Sequence, residues 1–239
     1  RYIMDIILIH QVFISHQEAG GTRHYELARH LSDQGHQFTI VASSLSYLTG
    51  QRVVSKNKLI PEQNLDGVRV LRAYTLPTLH RNYIWRVISF LSFMCTSVLA
   101  ALKARKPDLI MATSPPIFQA LSGWMVSRIR RRPLLLEIRD LWPEFAIDIG
   151  VLTNPLLIAA SRWLEHFLYK SATHILVNSP AYRDYLLEKG IPPEKISLIA
   201  NGTDPDMFDP NADGGEIRRQ WNLQDKFIVT YAGAMGLAN

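Results

Sequence analysis

Short apolar strands alternate with helix-length segments along almost the whole chain, and this alternation restricts the fold more than any single motif does. Seven stretches read as strands: Asp5 to His10, Gln37 to Ala42, Val68 to Ala73, Leu109 to Ala112, Leu134 to Arg139, His174 to Val177 and Ile196 to Ile199. Between them lie expected helices at Thr22 to Gln34, Ile84 to Ala104, Ile117 to Ile129, Pro155 to Tyr169 and Ala181 to Lys189. Gly35 and Gly190 close two of these, and Asn154-Pro155 opens a third. The fold class expected is α/β, a doubly wound, Rossmann-like parallel sheet with helices on both faces. Ser43 to Asp66 is polar and without a clear period, and reads as a long irregular excursion.

The chain ends in the kind of segment with which it begins. Phe227 to Ala232 (FIVTYA) runs into Gly233-Ala-Met-Gly236 much as Asp5 to His10 (DIILIH) runs toward Gly20-Gly21 and a helix. The expected organisation is therefore a domain over 1–200, a linker over 201–226 rich in Asp, Asn and Pro, and the first strand and glycine loop of a second domain over 227–239. Gly215 to Trp221 within the linker reads as a short basic helix.

Composition excludes several classes. Of 239 residues, 47% are hydrophobic, enough for a large core. One cysteine, Cys95, can build neither a disulfide scaffold nor a metal site by itself. The chain begins at Arg1, and apolar Ile6 to Ile9 is too short for a signal-peptide core, so a cytoplasmic setting is expected. The net charge of +5 is spread out, with one cluster, Arg128, Arg130, Arg131 and Arg132, at an expected helix end. No nucleic-acid module is present, which leaves a solvated helix end or an anionic membrane surface as its partner. VISFLSFMCTSVLAAL, between Arg86 and Lys103, falls short of the roughly 20 residues of a spanning helix. It reads as a buried helix. Tyr83 and Trp85, interleaved with Arg81 and Arg86 at its head, keep open a peripheral membrane contact over residues 81–103.

In an open parallel sheet, ligands bind beyond the carboxyl ends of the strands. After the first strand, Gly20 and Gly21 allow close backbone approach, and the next helix offers unpaired N–H groups suited to phosphate. The G-x-G-x-x-G spacing of dinucleotide sites is missing, and Ser43-Ser44 stands where such a site needs an acid, so a nicotinamide or flavin enzyme is disfavoured. Thr113 and Ser114 place hydroxyls facing the expected cleft or capping the next helix. The fifth strand ends in LLLEIRDLWPEFAID, whose Glu137, Arg139, Asp140 and Glu144 need partners or a task. Two readings stand: an ion pair of Arg139 with a neighbouring carboxylate, or an acceptor-binding or acid/base site around Asp140 and Glu144.

Four ordered motifs, EAGGTRHYELARHL, RDLWPE, NGTDPDMFDP and YAGAMG, together resemble family 4 glycosyltransferases of the GT-B fold, and RDLWPE is most similar to bacterial enzymes of surface-polysaccharide synthesis. The resemblance implies one half of a two-domain GT-B architecture and a retaining transfer from a nucleotide-diphosphate sugar to a glycan or polyprenyl-linked acceptor, with no metal or other cofactor. It implies that Gly21 approaches the donor diphosphate, with Thr22, Arg23 and His24 near donor and acceptor. Asp140 would line the acceptor site, where many relatives carry a histidine. Asn201, Gly202 and Asp204, with Phe208, would mark the hinge, and Gly233 to Gly236 the donor-domain loop. The family's donor-binding basic residues and paired glutamates lie beyond the last residue, so the chain by itself is expected to be inactive. A non-hydrolysing nucleotide-sugar epimerase and a non-catalytic protein of the same shape are the alternatives.

Overall fold

The computed structural model describes residues 2–15, 20–54, 60–78, 82–202, 209 and 211–232. Two compact units divide at Ala200 and Asn201. The first contains an eight-stranded sheet of order β3-β4-β2-β1-β5-β6-β7-β8. Its strands are β1 (Asp5–Ile9), β2 (Gln37–Ser43), β3 (Glu62–Leu65), β4 (Val68–Ala73), β5 (Leu109–Ser114), β6 (Leu134–Ile138), β7 (His174–Val177) and β8 (Ile196–Leu198). All neighbours pair in parallel except β3, which runs antiparallel to β4 at one edge.

The period of two decides which side chain goes to which face. Along β1, Ile7 and Ile9 enter the larger core with Val41, Ile110 and Leu136, while Ile6 and Leu8 enter the smaller one with Ile40, Val70 and Tyr25. Helix α1 (Arg23–Asp33) covers the smaller face through Tyr25 and Ala28. The larger face takes α2 (Tyr83–Lys103), α3 (Ile117–Arg130), α5 (Pro155–Ser171) and α6 (Pro180–Glu188) through Phe93, Ala120, Leu168 and Leu186. A five-residue helix, α4 (Glu144–Asp148), follows β6. Helix ends follow local chemistry: the Asn154 side chain accepts from the Leu156 and Leu157 N–H groups at 3.0 and 3.2 Å, which satisfies donors the first turn leaves orphaned.

Three expectations need correction. Ser43 to Asp66 is not wholly irregular, because Glu62–Leu65 forms β3 and turns into β4 through Asp66 (φ 49°) and Gly67 (φ 88°). That pair of positive φ values is the two-residue hairpin turn whose twist suits adjoining strands. Glu144–Asp148 is helical where no helix was expected. Phe227 to Ala232 forms no strand among the described residues: it has no ladder partner, and Phe227 and Val229 stand 94% and 86% exposed. The second unit carries α7 (Gly215–Gln220), held by a hydrogen bond from the Gly215 N–H to Asp213 at 2.9 Å. Asn201 and Gly202 open that unit and are exposed. Asp204, Phe208, Gly233 and Gly236 lie outside the described residues.

Helix α2 meets the length and composition of a membrane-crossing segment over Ile84–Lys103. In this fold it packs on the sheet, with Ser89, Phe93, Ser97 and Ala100 buried.

Candidate functional site

The order β2-β1-β5-β6 puts the reversal of the winding between β1 and β5, where connections leave in opposite directions and open a crevice at the carboxyl edge. A cleft of about 470 Å³ occupies that edge. Val12 enters it after β1, Pro115 and Pro116 after β5, and Arg139 and Asp140 after β6. Its outer wall is α2, through Arg86, Val87 and Phe90, and its floor is apolar toward Phe145 and Ile149 of the α4 region.

Behind the cleft, one carboxylate fixes the geometry. Glu137 is fully buried on β6 and accepts from Arg23 Nε at 2.9 Å and from the His24 ring through Nε2. Burial alone would raise its pKa, but the hydrogen bonds and charges of His24 and Arg23 prevail and hold it at about 2. The same Arg23 donates through its two terminal nitrogens to the carbonyls of Ala200 and Ile199, both at 2.9 Å. Its donor fork is thus filled by protein. Arg23 and His24 anchor the first turn of α1 to β6 rather than facing open space.

The loop before that turn is different. Gly20 has φ 142°, and a Cβ there would run into Ile14, whereas one at Gly21 would meet nothing within 4 Å. Thr22 occupies the N-cap position of α1 but its side chain caps nothing. Among the described residues, then, the N-cap side chain leaves the head of α1 uncapped, on a loop where Gly21 is open.

A second buried network joins the β1 and β5 ends. Thr113 is fully buried and its hydroxyl meets His10 Nδ1 at 3.1 Å and Gln119 Nε2 at 2.6 Å. Gln119 in turn accepts from the Gln11 N–H at 2.6 Å and donates to the Pro115 carbonyl at 2.9 Å. Burial, with His24 and Arg139 nearby, lowers the His10 pKa well below its usual value, so its ring is neutral at neutral pH. Thr113 and Ser114 thus lie inside the protein and do not cap α3, whose N-cap position is Pro116. The two prolines line the cleft instead. Neither His10 nor Gln119 was singled out from the sequence; only the position of His10 at the end of a strand could have pointed to it.

The LLLEIRDLWPE residues separate. Among the described residues Arg139 pairs with no carboxylate: it donates to the Pro115 carbonyl at 3.1 Å, and its Nε is buried without a partner. The ion pair expected of it belongs to Glu137 with Arg23 and His24. Asp140 lies at the mouth of the cleft, where desolvation raises its pKa against the opposing pull of Arg139 and a long 3.5 Å hydrogen bond from the Tyr182 hydroxyl. Glu144 does not line the cleft. It accepts from Arg162 at 2.9 and 2.8 Å and faces Lys189 at 3.9 Å, tying α4 to α5. These partners lower its pKa, chiefly through the Arg162 hydrogen bonds. Of the two expected acid/base residues, Asp140 is at the site and Glu144 holds the scaffold.

Residues 19–202 match the glycosyl transferase 4-like domain, well over half of the chain. The chain belongs to that family. A GDP-mannose-dependent alpha-mannosyltransferase of Mycobacterium tuberculosis (strain CDC 1551 / Oshkosh) is 30% identical over 139 residues, 58% of this chain and 35% of that protein. The chain therefore spans about a third of the length of this curated relative. Among solved structures, a sucrose-phosphate synthase from Thermosynechococcus elongatus superposes with a TM-score of 0.57 at 14% identity, over 91% of this chain and 99% of that one. Anabaena Alr3699/HepE in complex with UDP-glucose gives 0.56 at 17% identity, over 93% and 50%. Arabidopsis thaliana UGT89C1 complexed with quercetin gives 0.53 at 11% identity, over 92% and 55%. At these identities the likeness is one of fold, and that fold is one half of the GT-B architecture.

Proposed function

We propose that this chain is the acceptor-side half of a retaining glycosyltransferase that moves a sugar from a nucleotide-diphosphate donor onto a glycan or lipid-linked acceptor, in bacterial surface-polysaccharide synthesis. The observation that carries the reading is the Glu137 anchor. By fastening the head of α1 to β6, it puts the open Gly21 loop and Asp140 on the same edge of one sheet. Gly21 and the N–H groups after it suit the donor diphosphate. Asp140, with its pKa raised, suits an acceptor hydroxyl. In transfer, the bond from sugar C1 to the diphosphate oxygen breaks and a bond from C1 to the acceptor oxygen forms. Asp140 takes up or orients the hydroxyl proton, and the diphosphate leaves with the bonding electrons. No metal or further cofactor is invoked in this reading.

A cytoplasmic enzyme docked at the inner membrane face is part of the same proposal. The outward residues of α2 support it: Ile84, Leu91, Cys95 and Leu99 are exposed at helical spacing along one side. The arginine cluster contributes less than its sequence promised. Arg130 is spent on the Leu102 and Ala104 carbonyls at the far end of α2, and Arg132 lies 3.8 Å from Asp108.

The test is a nucleotide-sugar panel offered to the full-length protein with and without a glycan acceptor. The expected product is a new glycoside that forms only with acceptor. Isomerised or hydrolysed nucleotide sugar in the absence of acceptor would favour the epimerase instead.

A further inference from the structure

A second buried carboxylate, Glu165 of α5, takes no part in the site described above. It is 1% exposed and accepts from the Tyr169 hydroxyl at 3.0 Å, the Tyr185 hydroxyl at 2.9 Å and Lys189 Nζ. Burial first, then the Glu165 charge, raises the pKa of both phenols above the ordinary 10, so each keeps its proton and donates. Tyr185 stands on α6 and Lys189 directly follows that helix, so this carboxylate fastens the far end of α6 to α5. The near end is held from the sheet: Asn178 Nδ2, in the turn between β7 and α6, donates to the Arg139 carbonyl at 3.3 Å. That carbonyl belongs to the peptide that joins Arg139 to Asp140.

Tyr182 stands between these two fastenings. Its ring packs against the larger core, and its hydroxyl meets Asp140 Oδ1 at 3.5 Å. A helix held at both ends and a ring held on the core aim the hydroxyl without help from a substrate. At 3.5 Å the bond is long. Catalytic hydrogen bonds often tighten only when substrate is bound, and a hydroxyl on a carboxylate closes to about 2.5–2.7 Å. Desolvation at Asp140 favours the neutral acid, whereas Arg139 and Tyr182 favour the carboxylate. The other charged or titratable groups among the described lining of the cleft are Arg86 and Tyr47, and Glu144 on the following α4 is turned to Arg162.

We propose that Tyr182 is a positioning residue for transfer, whose hydroxyl orients the Asp140 carboxylate toward the acceptor hydroxyl. The inference rests on the glycosyltransferase reading and adds to it a residue on α6 that acts only through Asp140. Tyr182 takes up no proton in the reaction. It donates a hydrogen bond to one carboxylate oxygen and leaves the other for the acceptor, while Asn178 and Glu165 support it from either end of α6.

Kinetics of the full-length protein carrying Tyr182→Phe test this, because the change removes one oxygen and keeps the ring. kcat should fall by about two- to tenfold, with KM within about twofold, and the acid limb of the kcat profile should move up by about half a pH unit. In an Asp140→Asn background, Tyr182→Phe should cost nothing further. The carboxyl carbon of Asp140, followed by carbon-13 NMR and assigned with Asp140→Asn, should titrate at a midpoint higher by the same amount in the variant. If Tyr182→Phe fails to fold, the Tyr182 ring carbon that bears the hydroxyl must follow the Asp140 midpoint in the unmodified protein. An unmoved acid limb and midpoint, an equal loss of kcat in both backgrounds, or a Tyr182 carbon indifferent to the Asp140 titration would each overturn the inference. A raised midpoint in a protein that turns over no nucleotide sugar would support the hydrogen bond but sink the glycosyltransferase reading, and with it the role in transfer.

Discussion

Glu137 concentrates the electrostatics of the site in one fully buried carboxylate with two partners from α1. Its folded pKa of about 2 lies below the ordinary 4.5, so its contribution to stability is complete above about pH 4.5 and is lost as the pH falls through about 2. His10 adds an earlier window. Its folded pKa is lowered from 6.5, so the unfolded chain takes up a proton that the fold refuses, and stability declines as the pH drops below about 6.5. Acid unfolding should therefore begin below pH 6.5 and steepen between 4.5 and 2. Glu137→Gln leaves Arg23 and His24 without their carboxylate and should cost about 3–5 kcal/mol, read as a lower urea midpoint, with the steep acid window removed. A loss under about 1 kcal/mol would mean the anchor is dispensable. The sequence marked Glu137 as a charge needing a partner or a task, and offered an ion pair of Arg139 with a neighbouring carboxylate as one of two readings. The real partners lie more than a hundred residues earlier, on α1, and no local pattern encodes a contact across the sheet.

At the scale of elements, the strands that read most clearly are those buried on both faces. β4 and β7 match their expected limits, and β1, β2 and β6 differ by one residue at an end, because continuous apolar runs leave few other homes for them. β3 was missed for the opposite reason. Glu62–Leu65 is a polar, half-exposed edge strand whose sole cue was Asp66-Gly67, a pair suited to a two-residue turn. Gly67→Ala should accordingly cost about 1–3 kcal/mol, because φ 88° strains any side chain; an unchanged melting temperature would contradict the turn. FIVTYA shows the reverse error. Its β-branched and aromatic residues favour extended chain, but a strand also needs a neighbour to hydrogen-bond. The α2 stripe makes a separate prediction: Leu91→Glu with Leu99→Glu should preserve the helix, since both positions face out, and reduce co-sedimentation with anionic vesicles by about tenfold. Undiminished sedimentation would remove α2 from the membrane account.

For the whole molecule, the winding of the sheet explains why the candidate residues gather at one edge. Each crossover leaves its strand at the carboxyl edge and returns to the amino end of the next parallel strand, so the segments that follow different strands gather at the carboxyl edge: Gly21 after β1, Pro115 after β5 and Asp140 after β6. Family membership and the α/β class were legible from motifs and alternation. The division of labour between Asp140 and Glu144 was not, because it depends on α4 turning Glu144 toward Arg162 of α5. That division is the central claim, and kinetics of the full-length protein carrying Asp140→Asn, beside Glu144→Gln, test it most directly. Asp140→Asn should lower kcat by about 10²- to 10⁴-fold with an unchanged melting temperature, while Glu144→Gln should lower the melting temperature and leave kcat within about twofold. A kcat untouched by Asp140→Asn, or a collapse of kcat in Glu144→Gln without loss of stability, would contradict the account.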